Sequence, residues 1–229
     1  MKNILLILLF ITTTLYAEAK FNDPRLLRYP EAKQWSKDAD TNGESAYNIG
    51  VLYQQTIKDN KKAIEWYKKA YKMDDEGASI DALINLGNIY KKLHQYNDAI
   101  FYYKKAYERH SMDAANGLGY LYDVILKDTE QGIKWYEKSA SNGNSKAINN
   151  LGKTYHELNN NTKASAYILA MVNYGYTKQE VFNFLRNDWK IDQATIKKAY
   201  QLQKTLDIPK HYYDKDLEDT PPKKKIGRR

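Results

Sequence analysis

The chain has no cysteine among its 229 residues, which excludes disulfides, thiolate metal sites and a cysteine-borne lipid anchor. Burial must therefore supply the stability that small exported proteins often draw from disulfides. Proline is scarce: Pro24 and Pro30 stand near the start, Pro209, Pro221 and Pro222 near the end, and none falls between Pro30 and Pro209. A helical body fits that gap, because proline breaks helix interiors. Beyond the first 19 residues no stretch approaches the ~18 consecutive apolar residues that a membrane-crossing helix needs. Histidines are few and scattered, at His94, His110, His156 and His211. They make no H-E-x-x-H pair or other ligand spacing, so neither a metal nor a cofactor is expected. Asp214, Asp216, Glu218 and Asp219 lack the glycine and closing glutamate of a calcium loop, and read as a solvated acidic run.

What the chain does have is a repeat. Gly50-x-x-Tyr53 is followed by Gly87-x-x-Tyr90, Gly119-x-x-Tyr122 and Gly152-x-x-Tyr155, at steps of 37, 32 and 33 residues. Periods in that range mean stacked helical hairpins. A second landmark, at Trp66, Tyr102, Trp135 and Tyr167, lies 16, 15, 16 and 15 residues after each glycine. Ala46, Ile49, Gly50 and Tyr53 fall at i, i+3, i+4 and i+7, as do Ala63, Trp66, Tyr67 and Ala70. Each half-unit is thus one amphipathic helix. A glycine inside a helix costs about 1 kcal/mol relative to alanine, so four in register require a compensating contact. The small residues Ala63, Ala99, Gly132 and Ala164 in the second helices suggest close backbone approach, with the Trp or Tyr of the second landmark closing the wedge.

The pattern L-G-x-x-Y followed by A-x-x-W-Y-x-K-A, with Gly eight residues after the aromatic at Trp35 to Gly43, Trp135 to Gly143 and Tyr167 to Gly175, resembles the Sel1-like (SLR) class of tetratricopeptide repeats. The resemblance spans roughly Ala32 to Gly175 and implies an all-α fold, an α-solenoid of helix-turn-helix repeats in a right-handed superhelix. The chain departs from the family in lacking the glycine-rich interhelix loop and the proline that closes ordinary tetratricopeptide repeats.

The expected organisation is a signal peptide over 1–19, a linker over 20–30, a repeat domain over 31–175, capping helices over 176–208 and a disordered charged tail over 209–229. Within the repeat domain a half-repeat at 31–42 precedes repeats at about 45–73, 79–110, 113–142 and 144–174. Lys2, the apolar run Ile4 to Ile11 and the Ala17-x-Ala19 end form the leader, which predicts a periplasmic or secreted protein. Thr177 and Glu180 predict a capping box, and Asp192 a cap for a last helix. The net charge is +8, of which Lys223, Lys224, Lys225, Arg228 and Arg229 supply five, so the body is only weakly basic.

No S-x-x-K occurs, so the nucleophile of serine penicillin-binding enzymes and β-lactamases is missing and no catalytic residue is assigned. The paired aromatics Trp66-Tyr67, Tyr102-Tyr103 and Trp135-Tyr136 occupy packing positions rather than a ligand platform. The resemblance implies that first-helix residues at offsets of minus three, plus one and plus four from each glycine line a concave groove. The candidate partner-binding residues are Asn88, Lys91, Asn116, Tyr120, Asp123, Asn149, Lys153 and His156. An Asn column at Asn48, Asn85 and Asn150 invites comparison with the carboxylate clamp of peptide-binding tetratricopeptide domains. Only Lys146 with Asn150 fits it, since Glu44, Asp81 and Asp113 hold the basic slots; these Asn are expected to satisfy their own hairpins. The expected function is an exported scaffold that binds a protein or peptide partner in the cell envelope. Two alternatives stand beside it: a β-lactamase-like or peptidoglycan-related activity of the SLR family, and binding of an anionic polymer or membrane surface through the basic tail. For an exported chain nucleic acid is the weaker partner.

Overall fold

Helices begin where an Asx side chain can satisfy the first free amides, a pattern that recurs along the computed structural model, which describes residues 23–73 and 76–218. The helices are α1 (Pro30–Asp38), α2 (Gly43–Val51), α3 (Asn60–Lys72), α4 (Glu76–Lys92), α5 (Tyr96–Glu108), α6 (Met112–Tyr120), α7 (Thr129–Ala140), α8 (Ser145–Glu157), α9 (Asn161–Ala170), α10 (Lys178–Asn183) and α11 (Gln193–Gln203). No strand occurs among the described residues. Asn42, Asp59, Asp128, Asn144, Asn160 and Asp192 each accept a backbone N–H three residues on, the N-cap geometry that is worth about 1 kcal/mol per helix. The Thr177 and Glu180 capping box ahead of α10 is present in both directions. The expected leader and the basic cluster Lys223 to Arg229 lie outside the described residues.

The chain divides into two compact units, Met1–Ser111 and Met112–Arg229. In the first, α1 packs on α2, and the hairpins α2/α3 and α4/α5 pack through α3 and α4. Its core is Ala46, Ile49, Tyr53, Ala63, Tyr67, Ala82, Leu83, Leu86, Ile89, Ala99 and Tyr103. The stretch ahead of α1 is tied to this unit rather than hanging from it. Arg25 pairs with Asp23 at 2.6 Å and with Asp59 at 3.0 Å, the Tyr53 hydroxyl donates to Asp23 at 2.9 Å, and Leu26 is buried. In the second unit the hairpins are α6/α7 and α8/α9, followed by the terminal pair of helices α10 and α11, with α9 packed along α11.

The repeat glycines do one thing, and it differs from the expected wedge. A Cβ on Gly50 would lie 2.7 Å from the Tyr67 ring and one on Gly87 2.7 Å from the Tyr103 ring; Gly119 meets Tyr136 closer still, and Gly152 meets the Ile168 side chain at 2.7 Å. The ring that closes on the glycine is therefore one residue beyond Trp66, Tyr102 and Trp135. Those earlier positions have another partner in the α4/α5 and α8/α9 hairpins, where Tyr102 and Tyr167 stack on Tyr90 and Tyr155 with centroids 5.3 and 5.8 Å apart and planes within 3° and 2° of parallel. Backbone contact of the expected kind occurs at Gly132, whose Cβ would run into the Asp123 backbone and Cβ.

The alternation of 16 and 15 residues has a structural cause. In every hairpin the carbonyl of the Gly-x-x-Tyr tyrosine accepts the N–H of the next helix's N-cap. Tyr90 and Tyr155 reach Gln95 and Asn160 five residues on, whereas Tyr53 and Tyr122 reach Asp59 and Asp128 six residues on, all at 2.8–2.9 Å. The extra residue is taken up as a π turn, at Leu52–Ile57 and Leu121–Ile125. Each interhelix turn closes on one left-handed residue, and none of these is glycine: Lys58, His94, Lys127 and Asn159.

The terminal pair makes a similar turn without the signature residues. Phe184–Asp188 forms a π turn, Leu185 accepts from Ile191 six residues on, and Lys190 is left-handed. The bonded amide, Ile191, is one residue ahead of the N-cap Asp192, and the buried Tyr200 lies eight residues after that cap.

Residues 209–218, read from composition as the start of a disordered tail, instead form a strap over α10 and α11. Tyr212, Asp214 and Leu217 are buried. Gln203 holds the Tyr212 backbone at both N–H and carbonyl, at 3.0 and 2.6 Å. Asp214 accepts from the Tyr212 hydroxyl at 2.7 Å and pairs with Lys178 at 2.8 Å, while Glu218 accepts from Tyr200 and Lys204, both at 2.6 Å. Asp214 and Glu218 of the acidic run are thus paired internally rather than solvated, while Asp219 lies outside the described residues. Its low apolar content concealed a segment held by hydrogen bonds. Burial alone would push the Asp214 pKa up, but Lys178, the Tyr212 hydroxyl and the Asp216 amide outweigh it and hold it below the ordinary carboxylate value.

Two outcomes follow. Tyr103 cannot swing away from Gly87, because its hydroxyl is held by Asn88 at 2.7 Å, so Gly87→Ala should destabilise by about 1–3 kcal/mol through overpacking. Gly77→Ala, with nothing within 4 Å, should be neutral or stabilise by up to ~1 kcal/mol; urea melts of both variants check the pair. The depressed Asp214 pKa contributes stability that is complete above the unfolded carboxylate value and disappears as pH falls through the folded one. Acid titration of thermal stability should therefore show a loss below about pH 4 that is smaller in Asp214→Asn.

Candidate functional site

First helices expose one face to solvent once the glycine face has packed on its own second helix, and the expected groove residues belong to that face. In the first unit they do not form an open donor set. Asn88 Oδ1 accepts from the Tyr103 hydroxyl at 2.7 Å, so this side chain braces the ring that fills the glycine notch. Lys91 is half-buried with its Nζ 6.0 Å from the Tyr103 centroid. Burial, with Lys92 adding to it, lowers the Lys91 pKa.

In the second unit, α6 and α8 lie side by side and several polar residues join them. Asn150 donates to Asn116 Oδ1 at 3.0 Å. Thr154 donates to Asp123 Oδ2 at 2.8 Å, with the carboxylate buried. Asp123 is therefore not a groove residue: the π turn carries it inward against Gly132, and it serves as a buried acceptor between hairpins. The Asn column also works differently from expectation. Asn150 bonds to the preceding repeat, as does Asn85, which donates to the Tyr47 hydroxyl at 3.4 Å, so these side chains set the register between repeats. Lys146, the one residue in a clamp-like slot, lies 3.6 Å from Asp113.

Four of the remaining candidates stay near solvent. Tyr120 is exposed, at 40%. Asn149 and Lys153 line a cleft of about 370 Å³ with Ile168, Met171, Tyr176, Glu180, Val181 and Phe184. His156 stacks on Trp189, with centroids 4.1 Å apart and planes 7° from parallel, and its Nδ1 is 3.0 Å from Asn161 Oδ1. Trp189 in turn lies 4.8 Å from Phe184, so His156 buttresses the cleft wall rather than lining a free surface. Tyr176, Phe184, Met171 and Val181 were not legible as site residues. They lie outside the repeat signature or in its degenerate copy, and an apolar run after a capping box reads simply as an end cap. Among the described residues no group of three His, Asp or Glu stands close enough to hold a metal ion.

Known proteins sharpen this description. The tetratricopeptide repeat pattern matches residues 44–112 and again 145–173, and the Sel1 repeat pattern matches residues 113–144 between them. The chain belongs to the tetratricopeptide and Sel1 repeat family. The matches are contiguous and cover the four glycine-marked hairpins. No curated protein matches the chain by sequence. Among solved structures it is similar to a protective antigen present in uropathogenic Escherichia coli strains that displays an SLR fold, at 24% identity and a TM-score of 0.59, covering 76% of this chain and 40% of that one. The present chain thus spans less than half the length of that protein. A Sel1 repeat protein from Oxalobacter formigenes is similar at 23% identity and a TM-score of 0.55, over 76% of this chain and 78% of that one. Pseudomonas aeruginosa pilF follows at 18% and 0.51, over 72% and 77%. These likenesses show the α-solenoid fold of tetratricopeptide and Sel1 repeats. Such repeats generally serve as protein-interaction scaffolds and are typically not catalytic.

The hydrogen bonds between neighbouring repeats give a direct check. Thr154→Val keeps the shape of the side chain but leaves the buried Asp123 carboxylate without its hydroxyl donor, and should cost about 1–3 kcal/mol. Asn149→Ala, on the cleft rim, should change stability by less than ~0.5 kcal/mol; chemical denaturation of the two variants separates the framework from the open surface.

Proposed function

We propose that this protein is an exported scaffold that binds an extended segment of a protein partner in the bacterial envelope, on the first-helix face of its hairpins, without chemistry of its own. The observation that carries the proposal is the first-helix face of the second unit. There Tyr120 is exposed, and Asn149 and Lys153 lie on the rim of a cleft with an apolar floor. Extended peptides docked on such a face are held by side-chain hydrogen bonds to their backbone and by pockets for individual side chains. Asn149 supplies a carboxamide of the first kind and the cleft a pocket of the second. The leader-like stretch Met1 to Ala19 supports the envelope assignment.

Benzoylphenylalanine placed at Tyr120 in intact cells should give one discrete crosslinked adduct on irradiation. The same probe at Lys134, exposed on the second helix α7, should give none. Equal labelling from both sites, or from neither, would overturn the proposal.

A further inference from the structure

The cleft between the fourth hairpin and the terminal pair has a chemistry that narrows its ligand. Its floor is apolar: Ile168, Met171 and Val181 are each at most 5% exposed. Tyr176 and Phe184 make its walls. Its rim carries Asn149 and Lys153, one helical turn apart on the same face of α8. Of the charged side chains that line it, Glu180 is already committed, since its carboxylate accepts the Thr177 N–H and hydroxyl, both at 2.8 Å. Lys153 is exposed, and among the described residues no carboxylate pairs with it. The cleft is thus a hydrophobic pocket with an unpaired lysine and one carboxamide at its mouth, and its own carboxylate, Glu180, is turned to the Thr177 cap at the start of α10. A volume of about 370 Å³ accommodates one large side chain with the backbone that carries it.

We infer that this cleft is the anchor pocket for a bulky apolar side chain of the partner segment, with an Asp or Glu next to that side chain pairing with Lys153 and the segment's backbone hydrogen-bonding to Asn149. The inference rests on the groove reading above and adds the sequence class that the groove selects. Interface energy concentrates in a desolvated apolar anchor. The charge beside it sets which sequences are accepted. Beside Lys153, which has no carboxylate partner, an acidic neighbour is favoured over a basic one.

Phage-displayed random heptapeptides selected on the full-length protein test this, with Lys153→Glu, Asn149→Ala and Tyr120→Ala variants as comparisons. Lys153 and Asn149 lie on the rim, so their variants should melt like the parent. Expected is enrichment of a large apolar residue within two positions of Asp or Glu. A labelled enriched peptide should bind at least tenfold more weakly to Lys153→Glu, and at least tenfold more weakly when its apolar residue becomes Ala. Lys153→Glu should itself select Lys or Arg in place of the acidic residue. Peptides that bind without acidic bias, or whose affinity is lost in Tyr120→Ala but unchanged in Lys153→Glu, would overturn the cleft assignment and leave the groove reading standing. If no peptide is enriched on any form of the protein, both fall.

Discussion

A tyrosine ring lying in the space where a glycine has no side chain is the contact on which the hairpins depend. It occurs at Gly50 with Tyr67, Gly87 with Tyr103 and Gly119 with Tyr136, and an isoleucine serves at Gly152. All three rings are buried almost completely, and burial raises the pKa of each phenol well above its ordinary value, so each enters the core as a neutral group. The penalty of glycine within a helix is offset because the ring brings a large apolar area into the crevice between two helices. Everything else in a hairpin is arranged around that fit. The adjacent aromatic takes the neighbouring position, and the small residues at Ala63, Ala99 and Ala164 keep the second helix near.

Polar contacts between repeats have the complementary task. The pairs Asn150 with Asn116, Thr154 with Asp123 and Asn85 with Tyr47 join first helices to first helices. Hydrophobic contact alone would tolerate sliding, whereas directional bonds at fixed spacing do not. Much of the Asn that marks this helix face in the sequence is thereby committed to register. What stays open to solvent on this face is a smaller set at the end of the second unit, where the repeat meets a helix pair outside the repeat signature. Terminal units of repeat proteins characteristically diverge in this way, and here divergence opens a cleft.

The fold was readable because its defining contact leaves a mark in one dimension: a glycine where glycine is unfavourable, at constant distance from an aromatic. The identity of the ring was not readable. Trp66-Tyr67, Tyr102-Tyr103 and Trp135-Tyr136 are adjacent pairs, and a step of one residue on a helix turns the side chain by about 100°, a difference that periodicity alone does not resolve between two aromatics. Asp123 was misplaced for a related reason, since the π turn advances it relative to an ideal helix. Asn149 and Lys153 could be found from the offset rule, but Tyr176 and Phe184 belong to no repeat position. The strap at 209–218 was hidden by composition, because Gln203, Asp214 and Lys178 hold it by bonds that no hydrophobic pattern reports.

The π turns bear on how such a chain tolerates change in length. In each hairpin the second helix starts from the N–H that the tyrosine carbonyl accepts, whether that amide is five or six residues away. The hairpin therefore measures from a hydrogen bond and not from a residue count. An insertion or deletion of one residue at this point is absorbed in the turn, and the ring still arrives opposite its glycine. The same change a few residues earlier, inside the first helix, would rotate every later side chain off its face. Length variation among hairpins of this kind should then collect at the interhelix turn, and spacings that look irregular along the chain would describe units that are superimposable in space.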